Sequence, residues 1–101
     1  MDEKKLAGLI GLSMRARQLI LGTDTVLRLV RSGKAALILM DGGASDNLRK
    51  KLGDASAYYR VPLYELPEGL LDRAAGQSGK MAAAMPAGTL ADQIIKTLMP
   101  V

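Results

Sequence analysis

The sequence predicts an α/β fold with one sheet held between helices, and three observations carry that prediction. Segments with apolar residues at helical spacing alternate with short apolar runs along the whole chain. One of those runs, Ala35 to Met40, is apolar at every position, as in a strand covered on both faces. No linker, internal repeat or low-complexity tract interrupts the alternation, so 101 residues read as a single domain with one core, large enough to do without metal or disulfide support.

The elements follow in order. Leu6, Leu9, Ile10 and Met14 mark one side of a first helix from Glu3 to Arg15, in which Gly8 and Gly11 lower intrinsic stability or admit a close neighbour. Gln18 to Leu21 is short and apolar and reads as a brief strand ending at Gly22. A second helix of about two and a half turns follows. Thr23 or Asp24 is expected to cap it, and Gly33 suits the left-handed residue after its last turn. Val26 and Val30, widened by Leu27 and Leu29, form its apolar face, and Arg28 and Arg31 lie on the other side.

The buried strand stops at Asp41-Gly42-Gly43, which reads as the turn before a third helix capped by Ser45. In that helix Leu48, Leu52, Ala55 and Tyr59 face inward and Arg49, Lys50 and Asp54 outward. Val61 to Leu66 is a strand with Pro62 near its start, where a missing amide costs least. Pro67 to Ala75 reads as a short helix closed by Gly76. The loop Gln77-Ser78-Gly79-Lys80 leads into a strand from Met81 to Met85. Thr89 to Asp92 has the spacing of a capping box, and Leu90, Ile94, Ile95 and Leu98 give the last helix its buried stripe.

Charge is unevenly placed. The chain has 14 Lys and Arg against 10 Asp and Glu. Acidic and basic residues cancel from Met1 to Leu12 and again from Ala35 onward. Between Ser13 and Lys34, however, Arg15, Arg17, Arg28, Arg31 and Lys34 face only Asp24, which accounts for the whole excess of +4. A cationic region around a helix N-terminus, whose free amides carry partial positive charge, suits a polyanion that approaches with phosphates. On charge alone, a solvated face that keeps the protein dissolved explains the pattern equally well.

Composition narrows the chemistry. With neither Cys nor His, the chain has no disulfide, no thiol nucleophile, and no imidazole for metal binding or proton transfer near neutrality. No cofactor, metal or catalytic residue is expected, and Lys34, Lys80, Asp24 and Asp41 form no chemical grouping in the sequence. The start Met-Asp-Glu-Lys-Lys lacks the pattern of a secretory signal, and the longest apolar run is too short to cross a bilayer, so the expected location is cytoplasmic, without membrane contact. With no Phe or Trp and only Tyr58, Tyr59 and Tyr64, the chain also lacks the usual aromatic platforms on which single-stranded bases stack. Ala74 to Lys80 imitates the spacing of a phosphate-binding loop, but Met81 stands where a Ser or Thr must hold magnesium. The loop also runs from helix into strand, the reverse of the order that aims helix amides at phosphates.

Several ordered segments carry a family resemblance: Leu9 to Arg17, Gly22 to Arg28, Arg31 to Ala35, Ala44 to Asn47, Tyr58 to Pro62 and Gly76 to Lys80. In order and spacing, from Leu6 to about Ala84, the chain resembles the kink-turn RNA-binding ribosomal proteins of the archaeal and eukaryotic large subunit and their small bacterial relatives of the YlxQ type. The resemblance implies one domain over residues 1–101, a three-layer α-β-α sandwich around a small mixed sheet of about four strands. It also implies a non-enzymatic protein that grips a kinked internal loop of RNA, ribosomal or otherwise structured, alone or beside ribosomal and other ribonucleoprotein proteins.

In that family a Gly-x-Asn-Glu-x-x-Lys helix start and a second loop before the last strand make the grip. Gly22 matches the Gly, and Arg28 keeps the cation of the Lys position, while Asp24 and Thr25 replace Asn and Glu. Asp24 offers acceptors without an amide donor, so it copies only part of the pattern that reads sheared guanine-adenine pairs. The expected RNA-binding residues are Arg15, Arg17, Gln18, Gly22, Thr23, Asp24, Thr25, Arg28, Arg31 and Lys34, with Ser78, Gly79, Lys80 and Met81 from the second loop. The alternative is a protein-interaction or assembly module on the same fold that has lost specific kink-turn recognition.

Overall fold

A computed structural model of the chain describes residues 1–99. Five helices and four strands alternate: α1 (Glu3–Arg15), β1 (Ile20–Leu21), α2 (Thr23–Arg31), β2 (Leu37–Asp41), α3 (Asp46–Tyr59), β3 (Leu63–Leu66), α4 (Leu70–Ala75), β4 (Ala82–Met85) and α5 (Thr89–Leu98). The sheet order is β1-β4-β2-β3. β2 and β3 are parallel, while β4 runs antiparallel to both of its neighbours, β1 and β2. The sheet is therefore mixed, as the resemblance implied.

The two-residue period of the central strands divides the interior into two cores. Leu37 and Leu39 of β2, with Ala83 and Met85 of β4, join Leu6, Ile10, Leu71 and Ile94 from α1, α4 and α5. Ile38 and Met40, with Ala82 and Ala84, join Val26 and Val30 of α2 and Leu52 and Ala55 of α3 on the other face. Helices thus cover both faces, which is why every residue of β2 and β4 is buried.

Several boundaries move inward for local reasons. Gln18 belongs to the turn that ends α1, not to β1: its amide donates to the Ser13 carbonyl at 2.9 Å, and that of Arg17 to Met14 at 3.1 Å. Arg17 occupies the left-handed residue of this turn at φ 60°, a conformation that costs a non-glycine residue about 1–2 kcal/mol. Val61 and Pro62 precede β3, and α4 begins only at Leu70, because Gly69 at φ 83° interrupts the turn that starts at Pro67. The expected capping box of α5 does not form: Gly88 is the N-cap, Thr89 is the first helical residue, and no side chain caps the helix. Ser45 does cap α3, its Oγ accepting from the Leu48 amide at 3.2 Å.

The turn after β2 is more than a turn. Asp41 is fully buried, and its carboxylate accepts from the Gly43 amide at 2.8 Å and the Gly69 amide at 2.9 Å, tying the β2–α3 and β3–α4 connections together. Gly42 is required between them, since a Cβ there would stand 2.9 Å from the Leu66 carbonyl oxygen. Arg49, expected to point outward, instead reaches back over this junction. Its guanidinium donates to the Gly42 carbonyl at 2.7 Å and the Ala44 carbonyl at 3.1 Å, and pairs with Glu65. Accepting that bond, the Glu65 carboxylate raises the guanidinium pKa above its usual value.

Candidate nucleic-acid interface

Met81 and Ala82, at the entry to β4, bring the two expected site segments together. The Gly22 amide donates to the Ala82 carbonyl at 3.1 Å, and the Asp41 amide donates to the Met81 carbonyl at 2.8 Å. The start of α2 and the end of the α4–β4 loop are therefore neighbours across one end of the sheet, with Thr23, Asp24 and Thr25 on one side and Lys80 and Met81 on the other.

Gly22, not Thr23 or Asp24, is the N-cap of α2. Its φ of 99° suits a residue without Cβ, and this sharp entry moves both polar residues into the helix, where neither can reach back to cap. The first helical bond is Val26 to the Gly22 carbonyl at 2.9 Å. Among the described residues, the amides of Thr23, Asp24 and Thr25 have no protein acceptor, so the helix start presents unfilled donors to solvent. Asp24 and Thr25 are exposed and Thr23 half-buried. Asp24 forms no ion pair with Arg28 within the described residues, contrary to what their four-residue spacing suggests.

The second loop is held by a residue that periodicity does not single out. The Asp72 carboxylate accepts from the Gly79 amide at 2.9 Å and the Lys80 amide at 2.8 Å, while its backbone carbonyl accepts from Gly76 and Gln77. These contacts use the amides that a phosphate-binding loop would offer, so the resemblance of Ala74 to Lys80 to such a loop is only one of spacing. The loop is a preshaped arm: Ser78 and Gly79 exposed, Lys80 and Met81 half-buried. The signal for Asp72 in the sequence is an acidic residue shortly before two glycines and a lysine, and it specifies no partner.

The remaining expected residues lie elsewhere. Gln18 leads into β1, whose Ile20 pairs with Ala84, and the Ala36 amide donates to the Met85 carbonyl at 2.8 Å. Arg17, Gln18 and Lys34 therefore sit toward the finish of β4, the end opposite Gly22 and Met81. Exposed Arg15 closes α1. Helix α2, about 13 Å long, links the two ends. Arg28 and Arg31 line a groove between α2 and α3 together with Asp24, Lys51, Tyr58 and Tyr59. The structure thus gathers Gly22 to Thr25 with the second loop, carries the cationic face along α2, and leaves Arg15, Arg17, Gln18 and Lys34 apart from that junction. Schellman bonds from Gly33 to Val30 and from Lys34 to Leu29 end the helix as expected.

Residues 4–91 match the Ribosomal protein L7Ae/L30e/S12e/Gadd45 family. The chain belongs to that family. A Bacillus subtilis (strain 168) member described as RNA-binding protein YlxQ is 33% identical over 91 residues, covering 89% of this chain and 91% of that one. An Enterococcus faecium protein of the same description is 42% identical over 65 residues, 64% of this chain and 63% of the relative, so that match spans a little under two thirds of the relative's length.

Among solved structures, a Bacillus halodurans C protein of unknown function superposes with a TM-score of 0.88 at 26% identity, over 93% of this chain and 96% of its own. The Giardia lamblia 15.5kD RNA binding protein shares the fold, with a TM-score of 0.77 at 18% identity over 97% and 88% of the two chains. The family's architecture is thus shared across sequences that differ at most positions. Among the described residues of this member, no group of His, Cys, Asp and Glu is placed to hold a metal ion, and no helix is long and apolar enough to cross a membrane.

Proposed function

We propose that this protein is a non-enzymatic, cytoplasmic RNA-binding protein that holds a kinked or internal-loop RNA, ribosomal or translation-associated, between the start of α2 and the α4–β4 loop. The observation that carries this reading is the open N-terminus of α2. Its three unfilled amides are fixed beside Met81 and Ala82 by the Gly22–Ala82 hydrogen bond, and Arg28 and Arg31 carry positive charge along the same helix. The YlxQ relatives, both described as RNA-binding proteins, support the same ligand. Contacts with ribosomal or other ribonucleoprotein proteins would come through the RNA's neighbours and require no further site.

A gel-shift titration against a standard kink-turn and ribosomal RNA fragments, at two salt concentrations, tests the reading. Arg28→Ala is expected to weaken binding and to lower the salt slope by up to about 0.7–0.9 for one lost phosphate contact. Lys96→Ala, on α5, serves as the control. An equal loss there would mean attraction by net charge alone. Arg17→Ala and Lys34→Ala report whether the RNA extends to the far end of the sheet. Absence of binding to any of these RNAs would leave the protein-interaction module as the better reading.

Asp24 tunes that interface. Because it is neither the cap nor ion-paired, Asp24→Asn should change folding stability by under about 1 kcal/mol, the size of the helix-dipole contribution it gives up. Binding is expected to respond more strongly. The substitution removes a negative charge from the phosphate-facing end and supplies an amide that both donates and accepts. Affinity for a standard kink-turn should rise by up to about 1–3 kcal/mol, the worth of one good base contact, and that for a plain duplex much less. Equal gains on both RNAs would reduce the effect to relief of repulsion.

A further inference from the structure

The groove between α2 and α3 is a second, chemically different surface that leads away from the start of α2. Arg28, Arg31 and Lys51 line it, with Tyr58 and Tyr59. Of its two carboxylates, Asp54 already accepts from Lys50 at 3.2 Å, which leaves three cations against Asp24 alone. Tyr58 is 79% exposed, the highest exposure among the large apolar and aromatic side chains of the described residues. Its ring packs edge to face with Tyr59, centroids 4.8 Å apart and planes 71° apart. A ring this exposed offers a π-face on which a base can stack.

We propose that this groove binds an unpaired stretch of RNA continuous with the structured element at the α2 start, its phosphates meeting Arg28, Arg31 and Lys51 and a base stacking on Tyr58. The inference rests on the RNA-binding reading above and adds a ligand class to it. Cations spaced along a groove that ends in an exposed aromatic pair fit a single strand, which offers phosphates and π-faces in alternation. A duplex keeps its base faces stacked inside and would leave Tyr58 unused. The groove begins at Asp24 and Arg28, within the interface already described, so a strand leaving that interface enters it without crossing another surface.

The test compares a kink-turn RNA with the same RNA carrying an unpaired extension of about six nucleotides on one strand end or the other. Wild-type protein should bind one extended RNA at least about fivefold more tightly than the unextended one. Tyr58→Ala should cut affinity for that extended RNA by about 5- to 150-fold, up to the size of the gain, and leave the unextended RNA unchanged, whereas Tyr58→Phe should keep the gain. Arg31→Ala and Lys51→Ala should each lower the salt slope on the extended RNA by up to about 0.7. The exposure of Tyr58 means that its truncation leaves the fold intact, which a thermal melt verifies. If wild type binds the unextended RNA but gains nothing from either extension, the result expected of a groove made for a protein partner, the inference is overturned and the RNA-binding reading stands. A gain that survives Tyr58→Ala overturns it as well, and binding to neither RNA overturns both.

Discussion

Ile38→Ala should lower the free energy of unfolding by about 2–5 kcal/mol, measured by urea denaturation with an unchanged m-value. Ile38, the second residue of the interior strand β2, is fully buried, in register with Leu63 on one side and Ala84 on the other. On its face of the sheet β4 contributes only Ala82 and Ala84, so the Ile38 side chain fills the space that those small residues leave beneath Val26 and Val30. Truncation removes the large group between Leu63 and Ala84, and the alanines of β4 cannot lean in to close the gap. The loss should therefore fall in the upper part of the range, while Ile38→Val, which removes one methyl group, should cost only about 0.5–1.5 kcal/mol. A change below half a kcal/mol for Ile38→Ala would mean that this strand does not lie between two layers of helices.

Asp41→Ala should cost about 3 kcal/mol or more, by a different mechanism. Its carboxylate serves two amides, those of Gly43 and Gly69, and a hydrogen bond to a charged acceptor contributes about 1.5–3 kcal/mol. Alanine leaves both donors without a partner in a partly buried place, and water would have to enter a junction with so little room that a Cβ on Gly42 would stand 2.9 Å from the Leu66 carbonyl oxygen. Asp41→Asn keeps one acceptor and turns an amide NH2 toward the other donor, so its loss should be roughly half as large. The same denaturation curves separate the three proteins. Equal stability of Asp41→Asn and wild type would mean that only one of the two bonds carries weight. The Asp41 backbone also donates to Met81, so loosening of this clasp should be felt at the second loop as faster amide exchange at Lys80 and Met81.

These two residues also mark where the sequence is legible and where it is not. Ile38 stands in a continuous apolar run, and burial on both faces follows from that pattern alone. The helix Glu3 to Arg15 and the cap at Ser45 are equally local properties, and the structure reproduces them. Asp41 reads as a turn residue because its partner Gly69 lies 28 residues away, beyond any spacing rule. Arg49 has the periodicity of a solvated position, yet carbonyls from the preceding turn and Glu65 of β3 draw it in.

The caps of α2 and α5 share one cause. In each, a threonine follows a glycine with positive φ, and the glycine takes the capping position that the threonine's chemistry would favour. For the candidate site, the charge count pointed to α2 and the resemblance to the second loop. Neither could show that Gly22 and Ala82 are bonded, that Asp72 shapes the loop, or that Tyr58 and Tyr59 stand beside Arg28 and Arg31. Tyr59 in particular falls on the inward stripe by spacing, but it occupies the last turn of α3, where the helix outruns the core beneath it.

The order of the strands bears on association between copies of the chain. Every sheet that does not close into a barrel has two rims, each a row of amides and carbonyls on which a foreign strand could build. Here the interior of the sheet goes to β4 and β2, whose residues are all buried, and the rims to β1 and β3. β1 offers a newcomer two residues. β3 offers four, preceded by Pro62, which has no amide to give, and carrying Glu65 with Arg49 drawn across it. Sequences as apolar as Leu37 to Met40 and Ala82 to Met85 would be hazardous at a rim. Enclosed between two short and interrupted ones, they have no free backbone to template a growing sheet.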